Sequence, residues 1–194
     1  MVSLALVAWQ WDRLEGQPLR GLELTRIALL VLVAGSLTML DDPSRTVAEA
    51  VPVELRWRVG ERVAAMLGWL VPAGGLVAWL VVGRVGLGPD GLGPAQPGLL
   101  VEAAAVLVLG VAVVLLMQRR FAIDEPGQYA APVLLMLPLA LLLADAVTGG
   151  RWPLLVPPGP QWDAAHWRWA ALLALGTLAV GVLTRDPAAR WLRR

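Results

Sequence analysis

The chain has 194 residues, 58% of them hydrophobic and 16% charged, with a net charge of +1 and a mean hydropathy of +0.67. A soluble domain carries about a quarter charged residues, so this composition excludes a disordered chain and points to an integral membrane protein. The near-neutral balance gives no electrostatic reason to expect nucleic acid as a partner.

A helix rises about 1.5 Å per residue and the bilayer core is about 30 Å thick, so a span needs about 20 apolar residues. Residues 1–11 are apolar but too short to cross, and Asp12, Arg13 and Glu15 then interrupt them. A basic leader region and a clean small-residue cleavage site are lacking, so a short membrane-embedded or interfacial helix is expected in place of a signal peptide. Five spans follow, over 22–40, 63–82, 99–117, 131–147 and 167–183. The fourth is the shortest and contains Pro138, which neighbouring helices can accommodate. The expected fold is all-α and polytopic, one transmembrane domain over 1–194 with five spans and the short N-terminal helix.

Segment 41–62 reads DDPSRTVAEAVPVELRWRVGER. Thr46 and Glu49 make a capping box that starts a helix. Pro52 ends it about two turns later, and a second helix begins near Val53 and runs into the second span. Glu54 and Arg58 stand at i,i+4, with Arg62 extending the same face. The Gly/Pro-rich run 86–98 is a turn-forming loop; it has no Lys-Ser/Thr pair and is not a phosphate cradle. Segment 149–169 is too rich in Pro and Trp for a regular span, and Leu154, Leu155 and Val156 are expected to dip into the outer leaflet. Asp163 and His166 at i,i+3 invite a metal reading, but one histidine and no cysteine fall short of a first-row site. In the tail, Trp191 and Leu192 oppose Arg190, Arg193 and Arg194, an amphipathic turn suited to an anionic leaflet.

All 16 basic residues are arginine, and lysine and asparagine are absent, the usage of a GC-rich, bacterial genome. With five spans, segments 41–62 and 118–129 and the tail share one side and hold ten of the arginines, against six elsewhere. That bias makes the first group cytoplasmic and the C-terminus internal, in a bacterial cell membrane. Most of the ten tryptophans fall near span ends, where an indole can be buried with its N–H wet. Four charges lie within or beside the spans and are candidates for a polar gate or a structural ion pair: Glu23, Arg26, Glu102 and Asp145. Glu23 and Arg26 can pair within one helix; Arg26 can instead reach Glu102 or Asp145 on another.

The string Arg45-Thr46-x-x-Glu49-x-x-Pro52-Val53, followed by basic residues, resembles the first intracellular loop of type 2 ABC transporter permeases, in an actinobacterial-like version. The order of spans, external turns and basic internal loops over 22–194 is similar to the second to sixth spans of that family. The resemblance implies a coupling helix carried by Arg45, Thr46, Glu49 and Pro52, with Glu54 and Arg58 beside it, seated on a separate ATPase subunit. It implies the transmembrane subunit of an exporter for a hydrophobic or amphipathic substrate, with a second permease copy or a longer permease subunit, and lipids, as partners. The chain has no Gly-x-x-x-x-Gly-Lys-Ser/Thr, so ATP and Mg would be bound by the partner. It departs from the family at 1–20, where a whole first span belongs. No catalytic residue, metal or cofactor is expected in the chain itself. The alternative is a non-transporting accessory or scaffold subunit of a membrane complex.

Overall fold

The computed structural model describes residues 18–41, 55–85, 96–121, 123, 125–149, 154–155 and 161–185. Among these, all regular structure is helical: α1 (Pro18–Ser36), a 3-10 turn (Leu37–Leu40), α2 (Leu55–Val85), α3 (Gln96–Phe121), α4 (Pro126–Leu135), α5 (Leu137–Thr148) and α6 (Trp162–Leu183). Four stretches are long and apolar enough to cross a membrane, namely Gly21–Leu40, Trp57–Val81, Gly98–Phe121 and Trp162–Leu183. Helices α4 and α5 form a fifth if taken as one bent span. Residues 1–17, which include the expected short N-terminal helix, and residues 42–54 lie outside the described residues.

The bend between α4 and α5 is 41°, and its cause is local. Pro138 has no N–H to give to the carbonyl of Leu134, and its ring crowds that turn. The chain bridges the gap with Met136 N–H on Pro132 O at 3.1 Å and Ala140 N–H on Met136 O at 3.0 Å. Helix α5 ends at Gly149, whose φ of 64° is the left-handed closure that glycine adopts without strain. One expectation about segment 149–169 needs correcting. Helix α6 starts at Trp162, not 167, because prolines 153, 157, 158 and 160 all precede it and the following turn contains none. Asp163 in that first turn suits the positive end of the helix. In the same segment the Leu154 carbonyl accepts the indole N–H of buried Trp169 at 2.8 Å, and Leu155 lines a cavity.

Helices α1 and α3 are central, with 44% of each span window buried; α2 and α6 are peripheral, with 11%. The main core is built on the second half of α1 and α3, with Leu37, Met66, Val114 and Leu134 at its centre. Leu24, Ala28, Val77 and Val81 join α1 to α2, and Leu22, Leu99, Trp162 and Ala165 join the starts of α1, α3 and α6. Small residues set the helix spacing. A Cβ on Gly176 would lie 2.9 Å from Val108 Cγ1, so α6 approaches α3 closely because glycine stands there. The outer faces of α2, α5 and α6 expose Trp69, Val71, Trp79, Leu143, Val147 and Leu175, among others, an apolar mantle that suits lipid and not water. Trp69 departs from the expected placement of tryptophan near span ends: it is exposed midway along α2.

Candidate functional site

Three apolar helices each bring one ionisable side chain to a common cluster near the same end. Arg26 on α1, Glu102 on α3 and His166 on α6 lie about 6–12 Å along their axes from the helix starts. Glu102 is the hub and its side chain is 7% exposed. Arg26 grips it with both arms of the guanidinium, Nε on Oε2 at 2.7 Å and Nη2 on Oε1 at 2.6 Å. This fork geometry is the strongest form of a carboxylate–cation pair. The guanidinium also lies 5.5 Å from the ring centroid of Trp162, within cation–π range.

His166 completes the cluster. Its Nδ1 is 2.7 Å from the carbonyl oxygen of Trp162, and a carbonyl only accepts, so Nδ1 carries the proton. Its Nε2 lies 3.1 Å from Glu102 Oε1, a close approach rather than a directed hydrogen bond, and has no other partner among the described residues. Gly98 permits the contact, since a Cβ there would collide with the imidazole.

Beside the cluster lies a cavity of about 430 Å³, a size typical of small-molecule sites. Its walls are the apolar faces of α1, α3 and α5, including Leu30, Val106, Leu137 and Leu141, with Trp169 from α6. Glu23, Arg26 and Glu102 are its charged lining residues, all at one end. Ile27 and Leu142 line it and are also exposed, at 47% and 58%, so the cavity opens sideways between α1 and α5. The bend at Pro138 shapes this wall: Leu137 and Pro138 both line it.

Of the options for Arg26, the one realised as the paired fork is Glu102. Glu23 is exposed at the cavity rim and makes no hydrogen bond or ion pair among the described residues. Asp145 is not drawn in either: it is partly buried near the end of α5, with Oδ1 unpartnered among the described residues. His166, weighed from the sequence only beside Asp163, is the member that sequence reasoning did not assign to this cluster. Its signal was the Trp162–His166 spacing at i,i+4 on a proline-free stretch, which places both rings on one helical face; they stand 4.2 Å apart. Exposed Asp163 is not its partner.

The opposite end of the bundle holds the base of segment 41–62. Asp41 Oδ1 accepts the N–H of Gly127 at 2.6 Å, and Arg62 Nη1 donates to Leu40 O at 3.1 Å. Arg58 is half-buried on the first turns of α2, whereas Arg45, Thr46, Glu49, Pro52 and Glu54 lie outside the described residues. No known protein family, characterised protein or solved structure matches this chain.

Proposed function

We propose that the chain is the transmembrane subunit of an exporter, and that the cavity between α1, α3 and the bent span receives a hydrophobic or amphipathic substrate. The form of the cavity supports this reading: apolar walls, a lateral opening, and charge confined to one end. Such a site takes a molecule from the membrane and fixes its polar end. The cluster beside it offers no nucleophile–base pair: Nδ1 of His166 is held by a backbone carbonyl and Nε2 faces Glu102, so the reading is binding, not covalent chemistry.

The resemblance of the 41–62 segment supplies the energy source. A partner ATPase would bind ATP and Mg and seat on the helix carrying Arg45, Thr46, Glu49 and Pro52, with a second permease copy or a longer permease alongside. The arginine bias puts that segment and the C-terminus on the cytoplasmic face of a bacterial cell membrane, with five spans and a short N-terminal helix. Nucleotide moves the equilibrium only through different contacts in the inward and outward states, and the bent α4–α5 pair is the element suited to take up the change. The second reading, a non-transporting accessory subunit, is favoured by one observation: only 11% of the α2 and α6 span windows is buried, which leaves broad faces for another subunit.

Two experiments test the proposal. Thr46→Cys introduces a unique thiol, and a membrane-impermeant maleimide is expected to label it only after permeabilisation; labelling in intact cells overturns the coupling assignment. The complex purified from its native membrane is expected to contain a Walker-motif ATPase that Glu49→Arg releases. A complex without such a subunit favours the accessory reading.

A further inference from the structure

We infer that the cavity selects a single-chain amphiphile with a cationic headgroup, an amine or quaternary ammonium, and that Glu23 is the residue that reads the charge. The inference rests on the proposed reading of the cavity as a substrate site and assigns its ligand class. The lining holds two carboxylates, Glu23 and Glu102, and one guanidinium, Arg26. Arg26 and Glu102 are committed to each other through two short bonds, and the Arg26 charge also meets the Trp162 ring. Those two charges cancel within the wall. What remains is Glu23, exposed at the rim and without an ion-pair or hydrogen-bond partner among the described residues.

An anionic headgroup would meet this residual negative charge, and the Arg26 charge it would seek is already neutralised by Glu102. A neutral head would leave Glu23 uncompensated at the edge of a low-dielectric wall. A cation satisfies it, and the pairing strengthens as the ligand excludes water from the rim. The volume sets the length of the apolar part. With a water's share of liquid volume near 30 Å³, a cavity of about 430 Å³ holds about fourteen non-hydrogen atoms, a chain of about ten carbons with a small head. The lateral opening between Ile27 and Leu142 admits such a chain from the side, head toward Glu23.

The absence of cysteine makes the test direct. A bimane fluorophore on Leu142→Cys, in the full chain reconstituted in neutral-lipid nanodiscs, reports occupancy of the opening. Decyltrimethylammonium, decyl sulfate and decanol are titrated as chain-matched probes, with circular dichroism confirming the fold of each variant. The cation is expected to saturate the signal at about tenfold lower concentration than the sulfate, a difference of about 1.4 kcal/mol. Glu23→Gln is expected to erase that difference and leave the decanol curve unchanged. Equal binding of cation and sulfate, or a preference that survives Glu23→Gln, overturns the inference. Ala103→Trp, which fills the lining, separates this failure from that of the underlying reading. If decanol saturates and Ala103→Trp abolishes its binding while the cation gains nothing, only the headgroup assignment falls. If no probe saturates and Ala103→Trp changes nothing, the cavity reading falls with it.

Discussion

Where α1, α3 and α6 begin, the helices are joined by charged side chains; where they finish, they are joined by side chains bonded to backbone. The first junction is the Arg26–Glu102 fork with His166 against it. The second is Asp41 on the Gly127 N–H, Arg62 on the Leu40 carbonyl, and the Arg119 guanidinium on the Arg185 carbonyl, which ties the end of α3 to the end of α6. The two solve different problems. At a helix end the backbone groups are unsatisfied and need partners, so a side chain that supplies one removes a cost that is already present. Within a span every backbone group is already bonded, and a charge placed there creates its own cost, repaid only by an equally well-placed opposite charge. The ends of the helices are therefore tolerant of how they are closed, and the cluster is not.

The largest effect that separates the two is expected at Glu102. Glu102→Gln leaves the Arg26 cation largely buried without its counter-charge, and breaking a buried pair in this way costs about 3–5 kcal/mol. The double variant Arg26→Met with Glu102→Leu removes both charges and is expected to recover most of that loss. Unfolding free energies measured in bicelles check the pair. A single variant as stable as the parent would mean that Arg26 finds another partner and that the cluster is no more demanding than the helix ends.

How far this contrast was legible from the residues follows from the physics of each part. The long apolar helices were legible because hydropathy is summed over about 20 residues and survives local irregularity. Pro138 stood out in the fourth span, but as a residue that neighbouring helices accommodate, so the 41° break there was not foreseen. The early start of α6 was obscured because the neighbouring prolines coloured the whole segment, although none lies between 161 and 169. Glu23, Arg26, Glu102 and Asp145 stood out as costly residues, but which of them meet depends on helix rotation and spacing. Here that spacing is set by Gly98 and Gly176, whose missing Cβ atoms bring α3 against α6. The cavity was not legible at all: it is a gap between non-consecutive helices, and the residues that line it are ordinary leucines, valines and alanines. For the same reason the low burial of α2, 11% of its span window against 44% for α1, could not be told from its sequence, which is as apolar as that of α1.

A smaller effect is expected at the backbone-bonded end, from Gly127→Val. A Cβ at 127 would collide with the carbonyl of Leu37, and its ideal position lies 2.9 Å from Asp41 Oδ1. The start of α4 must then move off the 3-10 turn, lengthening the Asp41 bond to the residue-127 N–H. Overpacking of this kind costs about 1–3 kcal/mol, less than the loss at Glu102 because the freed Asp41 lies where α1 ends and can find another donor. Thermal unfolding of the reconstituted variant checks it. A loss larger than that of Glu102→Gln would reverse the ranking of the two ends.

The smallest effect sharpens the comparison from inside the first end. Asp145 lies near the cluster's end of the bundle but outside the cluster, in the last turn of α5, with Oδ1 buried and unpartnered among the described residues. A carboxylate at a helix C-terminus faces the negative end of the helix dipole, at a cost of about 0.3–1 kcal/mol. Asp145→Asn removes that charge, keeps the shape and adds a donor that the last carbonyls of α5 can accept. The variant is therefore expected to be more stable by about 0.3–1 kcal/mol, measured by the same bicelle unfolding. One residue of this end would then resist neutralisation while its neighbour gains from it, which makes pairing, and not depth, the property that holds Glu102 in place. A destabilised Asp145→Asn would instead show that the carboxylate is engaged, and would move Asp145 into the set of charges that the bundle needs.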